Sequence, residues 1–202
     1  MTFLLFYHFS KNFLKVTKEK YISNFSLQKR GKYVDSEKYI VNFAPMNITR
    51  TWIPAHEIRP QDSNLKIRQV YCWITTNDGK IIIVSKDGMK WQFPGGKPDE
   101  WETIEETLIR EVYEETGLEI ENAIDNAELF GYYKIVEWNE GYLQLRYKLQ
   151  IDQPSDKLEL FPHEREADTD KIEYVIPCSQ EELTKKISWL RDSEELRSFL
   201  EA

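Results

Sequence analysis

Residues 93–118 read "FPGGKPDEWETIEETLIREVYEETGL" and hold eight carboxylates against two cations, Lys97 and Arg110. Acids this dense repel one another unless water or a metal ion lies between them, so the stretch is either a solvated acidic helix or a metal site. Thr103 stands three residues before Glu106, the spacing of a capping box, and good helix formers follow. Gly117 fits a left-handed position just past a helix end, with apolar Leu118 after it. The spacing therefore predicts a helix from about Ile104 to Thr116. At 100° per residue, Ile104, Leu108, Ile109 and Val112 make one apolar arc. Glu111 and Glu115 stack one turn apart and Glu114 flanks them, so three carboxylates share a patch beside the core face. A hard cation with oxygen ligands would reverse the cost of that crowding. Arg110, four before Glu114, is placed to form an ion pair that holds it. Ahead of the helix, Gly95 and Gly96 let the backbone come close to a ligand or metal, and Pro94 and Pro98 stiffen the loop.

These residues carry a resemblance. The pattern G-x5-E-x7-R-E-U-x-E-E-x-G-U, with U apolar, is the box of the Nudix hydrolase family. Here it reads Gly96, Glu102, Arg110, Glu111, Val112, Glu114, Glu115, Gly117 and Leu118, with no departure. The preceding "WQFPGG" and "KIIIVSKDG" are similar to the family too. The likeness runs from about residue 66 to the C-terminus, which implies a Nudix domain over 66–202 behind an N-terminal extension and connector over 1–65. The implied fold is α/β, an α/β/α sandwich around a mixed sheet.

The resemblance also implies an activity: hydrolysis of a pyrophosphate bond in a nucleoside diphosphate linked to another group, with Mg2+, or Mn2+ in its place. Glu111 and Glu115 are then the principal metal ligands, Glu114 a third and Glu102 an accessory one. The Gly95 carbonyl is the backbone ligand, and Arg110 orients the glutamates. The carboxylate that takes the attacking water's proton is left open between Glu111 or Glu114 in the box and Glu164 or Glu166 in "LFPHEREADTDK". Lys97, Arg68, Lys86 and Arg146 are candidate phosphate contacts. Trp91, Tyr132, Tyr133 and Trp138 are candidate stacking surfaces, Tyr133 lying near a tyrosine seen in dinucleoside polyphosphate hydrolases. Proline is absent between Pro98 and Pro154, which counts against the ADP-ribose subclass. A non-catalytic nucleotide-binding module is the alternative reading. Isopentenyl diphosphate isomerase shares the implied fold, but neither cysteine stands in the context its reaction needs.

Outward from the box, "IRQVYCWIT" (67–75) alternates, with Val70, Cys72 and Ile74 on one face and Tyr71 and Trp73 on the other. "KIIIVS" (80–85) follows a turn as a second, more buried strand. Residues 127–138 and 142–151 read as a hairpin and 171–177 as a further strand. Ser179, with Glu182 three residues on, opens a closing helix. Residues 45–65, rich in Pro, Asn and Asp, read as an irregular connector. Net charge is −8 over 202 residues, unevenly spread: +6 in residues 1–32 and −14 beyond. Phe6, Phe9, Phe13 and Val16 recur at helical spacing among lysines. That describes a helix packed on the main domain, a basic amphipathic helix for a membrane surface or anionic partner, or a passenger preceding a natural start at Met46. Relatives often pair through N-terminal elements, so the resemblance implies a homodimer.

The acidic balance argues against a stable nucleic-acid complex and leaves a small nucleotide as the expected partner. No apolar run approaches the roughly 20 residues of a membrane span, and no secretory signal is legible. Cys72 and Cys178 form no CxxC pair and read as reduced core thiols of a cytoplasmic protein.

Overall fold

The computed structural model describes residues 3–5, 14–17, 28–29, 32–33, 40–41, 48–138, 140–163 and 171–201. Contacts divide the chain into two units, Met1–Met46 and Asn47–Ala202. In the first, β1 (Phe3–Leu5), β2 (Leu14–Thr17) and β5 (Ile40–Val41) form an antiparallel sheet, and β3 (Gln28–Lys29) pairs with β4 (Lys32–Tyr33). The expected helix over this stretch is overturned where it is described: Val16 lies in a strand, opposite Phe3 and Val41. β-branched Val16 and Thr17 suit an extended, cross-paired backbone better than a helical one. Phe6, Phe9 and Phe13 lie outside the described residues.

The second unit is built on a mixed eight-stranded sheet. Its main path runs β13 (Tyr174–Cys178), β8 (Ile81–Ser85), β7 (Lys66–Thr76), β12 (Glu140–Ile151), β11 (Glu128–Glu137) and β6 (Ile48–Pro54). Among the described strands only the β12–β7 pair is parallel; β7 and β8 meet at a single register pair, Thr75 with Ile81. Short strands fill the gap that opens beyond it: β9 (Trp91–Gln92) pairs with β8, and β10 (Gly95–Gly96) with β7. This splay brings the glycine loop onto the sheet. Part of the expected irregular connector is thus a strand. β6 has little local signature because its partner, β11, lies some 80 residues on, with Trp52 opposite Tyr133.

The period-2 pattern of β7 sorts the core into two layers. Val70, Cys72 and Ile74 pack with Ile82 and with Leu108 and Val112 of α1 (Ile104–Thr116). Trp73, Ile81 and Ile83 face the other way, onto Leu183 of α2 (Gln180–Lys186), Leu190, and Leu196 of α3 (Glu194–Glu201). The result is helix, sheet, helix, as the alternation predicts. Trp73 is wholly buried, stacked on Phe93 at 3.9 Å and close to Phe199 of α3 at 4.3 Å. Both cysteines are free and buried, and burial pushes the Cys72 thiol up to about 12. The closing helix is shorter than "SQEELTKKISWL" suggests. It ends at Lys186, gives way to a 3-10 turn at Ser188–Leu190, and α3 completes the layer. No helix among the described residues is long and apolar enough to cross a membrane.

Candidate metal and substrate site

α1 forms where the local signals place it. The Thr103 side chain accepts from the Glu106 amide, the Glu106 carboxylate accepts from the Thr103 amide, and Gly117 closes the helix at φ 76°. A side chain at Gly117 would also meet the Phe161 carbonyl at 2.7 Å. Buried Leu108 and Val112 press one face onto the sheet and leave the glutamates at its margin.

Arg110 organises that margin and uses all five of its N–H donors. Nε and Nη2 grip the two oxygens of Glu102 at 2.5 and 2.8 Å. Nη1 donates to Glu111 at 2.8 Å and to Glu114 at 3.2 Å. Nη2 also donates to the Lys97 carbonyl at 3.1 Å, tying the helix to the glycine loop. Glu102 further accepts from the Asp99 amide and the Thr107 hydroxyl. Arg110, foremost, holds its carboxyl down at about 2. Oε2 takes three protein donors and Oε1 one, so Glu102 anchors Arg110 and keeps acceptor capacity on Oε1.

Glu115 is buried and accepts from the Gly95 amide at 2.8 Å. Gly95 faces Tyr71 of β7 as a non-hydrogen-bonded pair, since the Cys72 amide donates to the Pro94 carbonyl beside it. Its amide and carbonyl therefore share the edge turned away from β7, towards Glu115. Gly96 has a different reason to be glycine. A Cβ there would stand 2.4–2.6 Å from the Glu111 carboxyl group, so the missing side chain is the space Glu111 occupies. Burial raises the Glu111 pKa, Arg110 opposes it, and Glu114 and Glu102 add to the rise. Oε2 of Glu111 makes no hydrogen bond among the described residues.

Three carboxylates thus surround one guanidinium in a half-buried patch, with Glu115 beside them on the Gly95 amide. Among the described residues no three acids, histidines or cysteines stand ready-set around one metal position, because Glu111 and Glu114 lean on Arg110. The donor chemistry nonetheless fits a hard divalent cation: every donor is oxygen, carboxylates outnumber the one guanidinium, and burial with neighbouring acids raises the pKa of Glu111 despite Arg110.

The other expected residues are more dispersed. Lys97 is exposed on the glycine loop beside the cluster. Arg68 sits over the Tyr142 ring at 4.2 Å and faces Glu140 at 3.8 Å, so its partners lie outside the cluster. Lys86 is exposed just after β8. Tyr132 is buried and donates its hydroxyl to Asp62, which also holds Lys134, so it is a strut rather than a stacking face. Trp138 is exposed at the tip of the β11–β12 hairpin. Tyr133 is buried beneath Arg50, whose guanidinium lies 3.8 Å above its ring. Glu164 and Glu166 lie outside the described residues. The chain leading to them is fixed, however: the His163 amide donates to the Glu114 carbonyl at 2.6 Å, and its ring stacks on Tyr113. Arg50, Trp189 and buried Glu195, discussed below, carried no motif that singled them out.

A family model described as the NUDIX domain matches residues 65–191. The chain belongs to the NUDIX family. The glutamates, Arg110 and the glycine loop described above are its Nudix box. An RNA pyrophosphohydrolase of Aeromonas hydrophila is 33% identical over 91 residues, covering 39% of this chain and 52% of the relative. Another, from Pseudoalteromonas atlantica, is 59% identical over 72 residues, covering 35% of this chain and 34% of the relative. The chain therefore spans about half the length of these curated relatives or less. Among solved structures, a Caenorhabditis elegans Ap4A hydrolase binary complex superposes with a TM-score of 0.48 at 17% identity, covering 66% of this chain and 94% of that one. A Bacillus subtilis pyrophosphohydrolase gives 0.45 at 21% identity, over 63% and 71%.

Proposed function

We propose that this Nudix protein is a divalent-metal-dependent hydrolase that cuts a pyrophosphate bond in a nucleoside diphosphate linked to another group. The observation that carries the reading is the Arg110 hub, which spends five donors to gather Glu102, Glu111, Glu114 and the glycine loop beside Glu115. Holding like charges together has a cost that a purely structural helix has no reason to bear.

Glu111, Glu114, Glu115 and the Gly95 carbonyl would hold the cation, Mg2+ or Mn2+. Bound there, a divalent ion neutralises pyrophosphate charge and makes a water acidic enough to attack. Arg110 keeps the glutamates oriented. The loop glycines let phosphates approach the backbone, with Lys97 at the rim to contact them. The proton acceptor is Glu111, through its Oε2, or Glu114, or else Glu164 or Glu166 in the sequence that follows His163. Arg68 and Tyr133 remain in the proposed substrate set, Tyr133 through the Arg50 it supports.

The test is a panel of nucleoside triphosphates, nucleotide sugars, dinucleoside polyphosphates and RNA, each with Mg2+ and Mn2+. The two curated relatives are named RNA pyrophosphohydrolases, so RNA belongs in the panel. Release of a nucleoside monophosphate or pyrophosphate is expected, with loss of turnover in folded E115Q. A second reading, nucleotide binding without cleavage, is favoured by the engagement of Glu111 and Glu114 with Arg110. It predicts tight binding with the ligand recovered whole.

A further inference from the structure

On the sheet face opposite α1 lies a chamber of about 330 Å³, lined among others by Arg50, Tyr71, Trp91, Gln92, Arg146 and Trp189. That volume is at the lower end of small-ligand sites. Among the described residues two arginines line it and no carboxylate does, in a protein whose net charge is −8.

The two arginines differ in their pairing: Arg146 is ion-paired with Glu195 at 2.9 Å, and Arg50 has no ion-pair partner among the described residues. Arg50, on edge strand β6, lies 3.8 Å from the Tyr133 ring and 5.3 Å from the Trp189 ring, and makes no hydrogen bond or ion pair among the described residues. Two rings fix its plane while its donors remain available. Arg146, on β12, is buried. Its Nε donates to Glu195 at 2.9 Å and its Nη1 to the Leu145 carbonyl at 3.1 Å. Nη2 has no hydrogen bond among the described residues. The Tyr71 ring lies 4.3 Å away and helps fix its orientation.

Glu195 needs an explanation of its own. It is wholly buried on α3, where an apolar side chain would pack at no electrostatic cost. Its Oε1 accepts from both Trp73 Nε1 and Arg146 Nε, while Oε2 has no hydrogen-bond partner among the described residues. A carboxylate kept there under strain acts by holding Arg146 in one place. The chamber also adjoins the acidic cluster, because Tyr71 lines it while standing in register with Gly95 of the box loop and with Arg146.

We infer that the chamber is a second, cationic subsite of this protein. There Arg50 and Arg146 grip a substrate phosphate other than the scissile pair, and Glu195 is the positioning residue that aims Arg146 at it. Guanidinium forks suit phosphate oxygens, and Trp91 and Trp189 offer faces to the attached base. The substrate class this favours is a nucleotide with three or more phosphates in a row. A nucleotide sugar has only the two that would be cut apart. The inference deepens the hydrolase reading and rests on it for the word substrate, but the binding can be measured without turnover.

The experiment follows tryptophan fluorescence of the full-length protein in EDTA while ATP, ADP-glucose or adenosine is added. Saturable quenching by ATP is expected, with ADP-glucose and adenosine at least about tenfold weaker. R50A and E195Q should each weaken ATP about tenfold. With Mg2+, E195Q should raise KM for ATP about tenfold and leave kcat within about twofold. A merely structural Glu195 would instead lower the melting temperature and leave affinity and KM unmoved. Because Arg50 is exposed and has no polar partner among the described residues, R50A tests the subsite even if E195Q does not fold. ATP affinity unchanged in R50A, or adenosine binding as tightly as ATP, overturns the inference. If Arg50-dependent binding persists while nothing is hydrolysed, the hydrolase reading falls and the subsite stands. If ATP is hydrolysed with KM unaffected by R50A, the reverse holds.

Discussion

At the scale of single residues, Arg110 and Gly96 set where Glu111 can be. Lysine in place of Arg110 keeps the charge but offers three donors from one point, too few to reach Glu102, Glu111, Glu114 and the Lys97 carbonyl together. R110K should therefore fold, yet lose about 100-fold in kcat, the penalty typical of a displaced catalytic group. Steady-state kinetics beside circular dichroism checks this. Activity within twofold of wild type would mean the hub is ornamental. G96A separates space from stability. The Cβ would collide with the end of a flexible side chain rather than with backbone. Glu111 can swing aside, so the cost in stability should stay near 1 kcal/mol and the melting shift within about 2–4 °C. Activity should nevertheless collapse, because the displaced Glu111 is a proposed metal ligand.

At the scale of elements, α1 and the β7–β8 hairpin show what was legible in the sequence and what was not. The bounds of α1 could be read because everything that sets them is local: a capping box, a run of helix formers, a left-handed glycine. The faces of β7 followed from alternation for the same reason. Strand β6, α3 and the pairing of Arg146 with Glu195 across 49 residues depend on distant partners, and no spacing rule points to them. Within the site, the glutamates and Arg110 were legible as neighbours. That both oxygens of Glu102 accept from Arg110 was not, because rotamers decide it. The hairpin carries a pH signature. Asp78 in its turn accepts from the Ser155 amide at 2.8 Å and its hydroxyl at 2.7 Å, tying the turn to the segment after β12. Its pKa is lowered to about 2, with hydrogen bonds from Thr76 and Ser155 as the leading causes. A depressed carboxyl stabilises the fold fully above its unfolded value near 4, and that help is lost as pH falls through 2. The melting temperature of D78N should thus lie below wild type at pH 6, and the gap should narrow from pH 4 and close near pH 2. A gap independent of pH would remove the ionised carboxylate as its source.

At the scale of the whole molecule, the second unit begins with β6, whose Trp52 and Ile53 are buried in the two core layers. Trp52 also donates to Ser198 of α3 at 2.9 Å, so the first strand and last helix of the unit are joined. A chain cut to residues 47–202 should keep a cooperative unfolding transition. One cut to 66–202 loses two large core side chains, each worth about 2–5 kcal/mol when removed, and should unfold at or near room temperature. Urea titration of both chains gives the answer, and equal stability would show that β6 is dispensable. The strand also carries Arg50, so one element completes the sheet and supplies a cation to the chamber.

The central claim is that the glutamates gathered by Arg110, together with Glu115 hydrogen-bonded to the glycine loop, form a divalent-cation site. Its most direct test is Mn2+ titration of the metal-free protein, with bound ion read from the loss of the free Mn2+ electron paramagnetic resonance signal. The account predicts saturable binding to wild type that E111Q and E115Q weaken at least tenfold while remaining folded. Equal Mn2+ binding by wild type and both variants, or none by wild type, would contradict it.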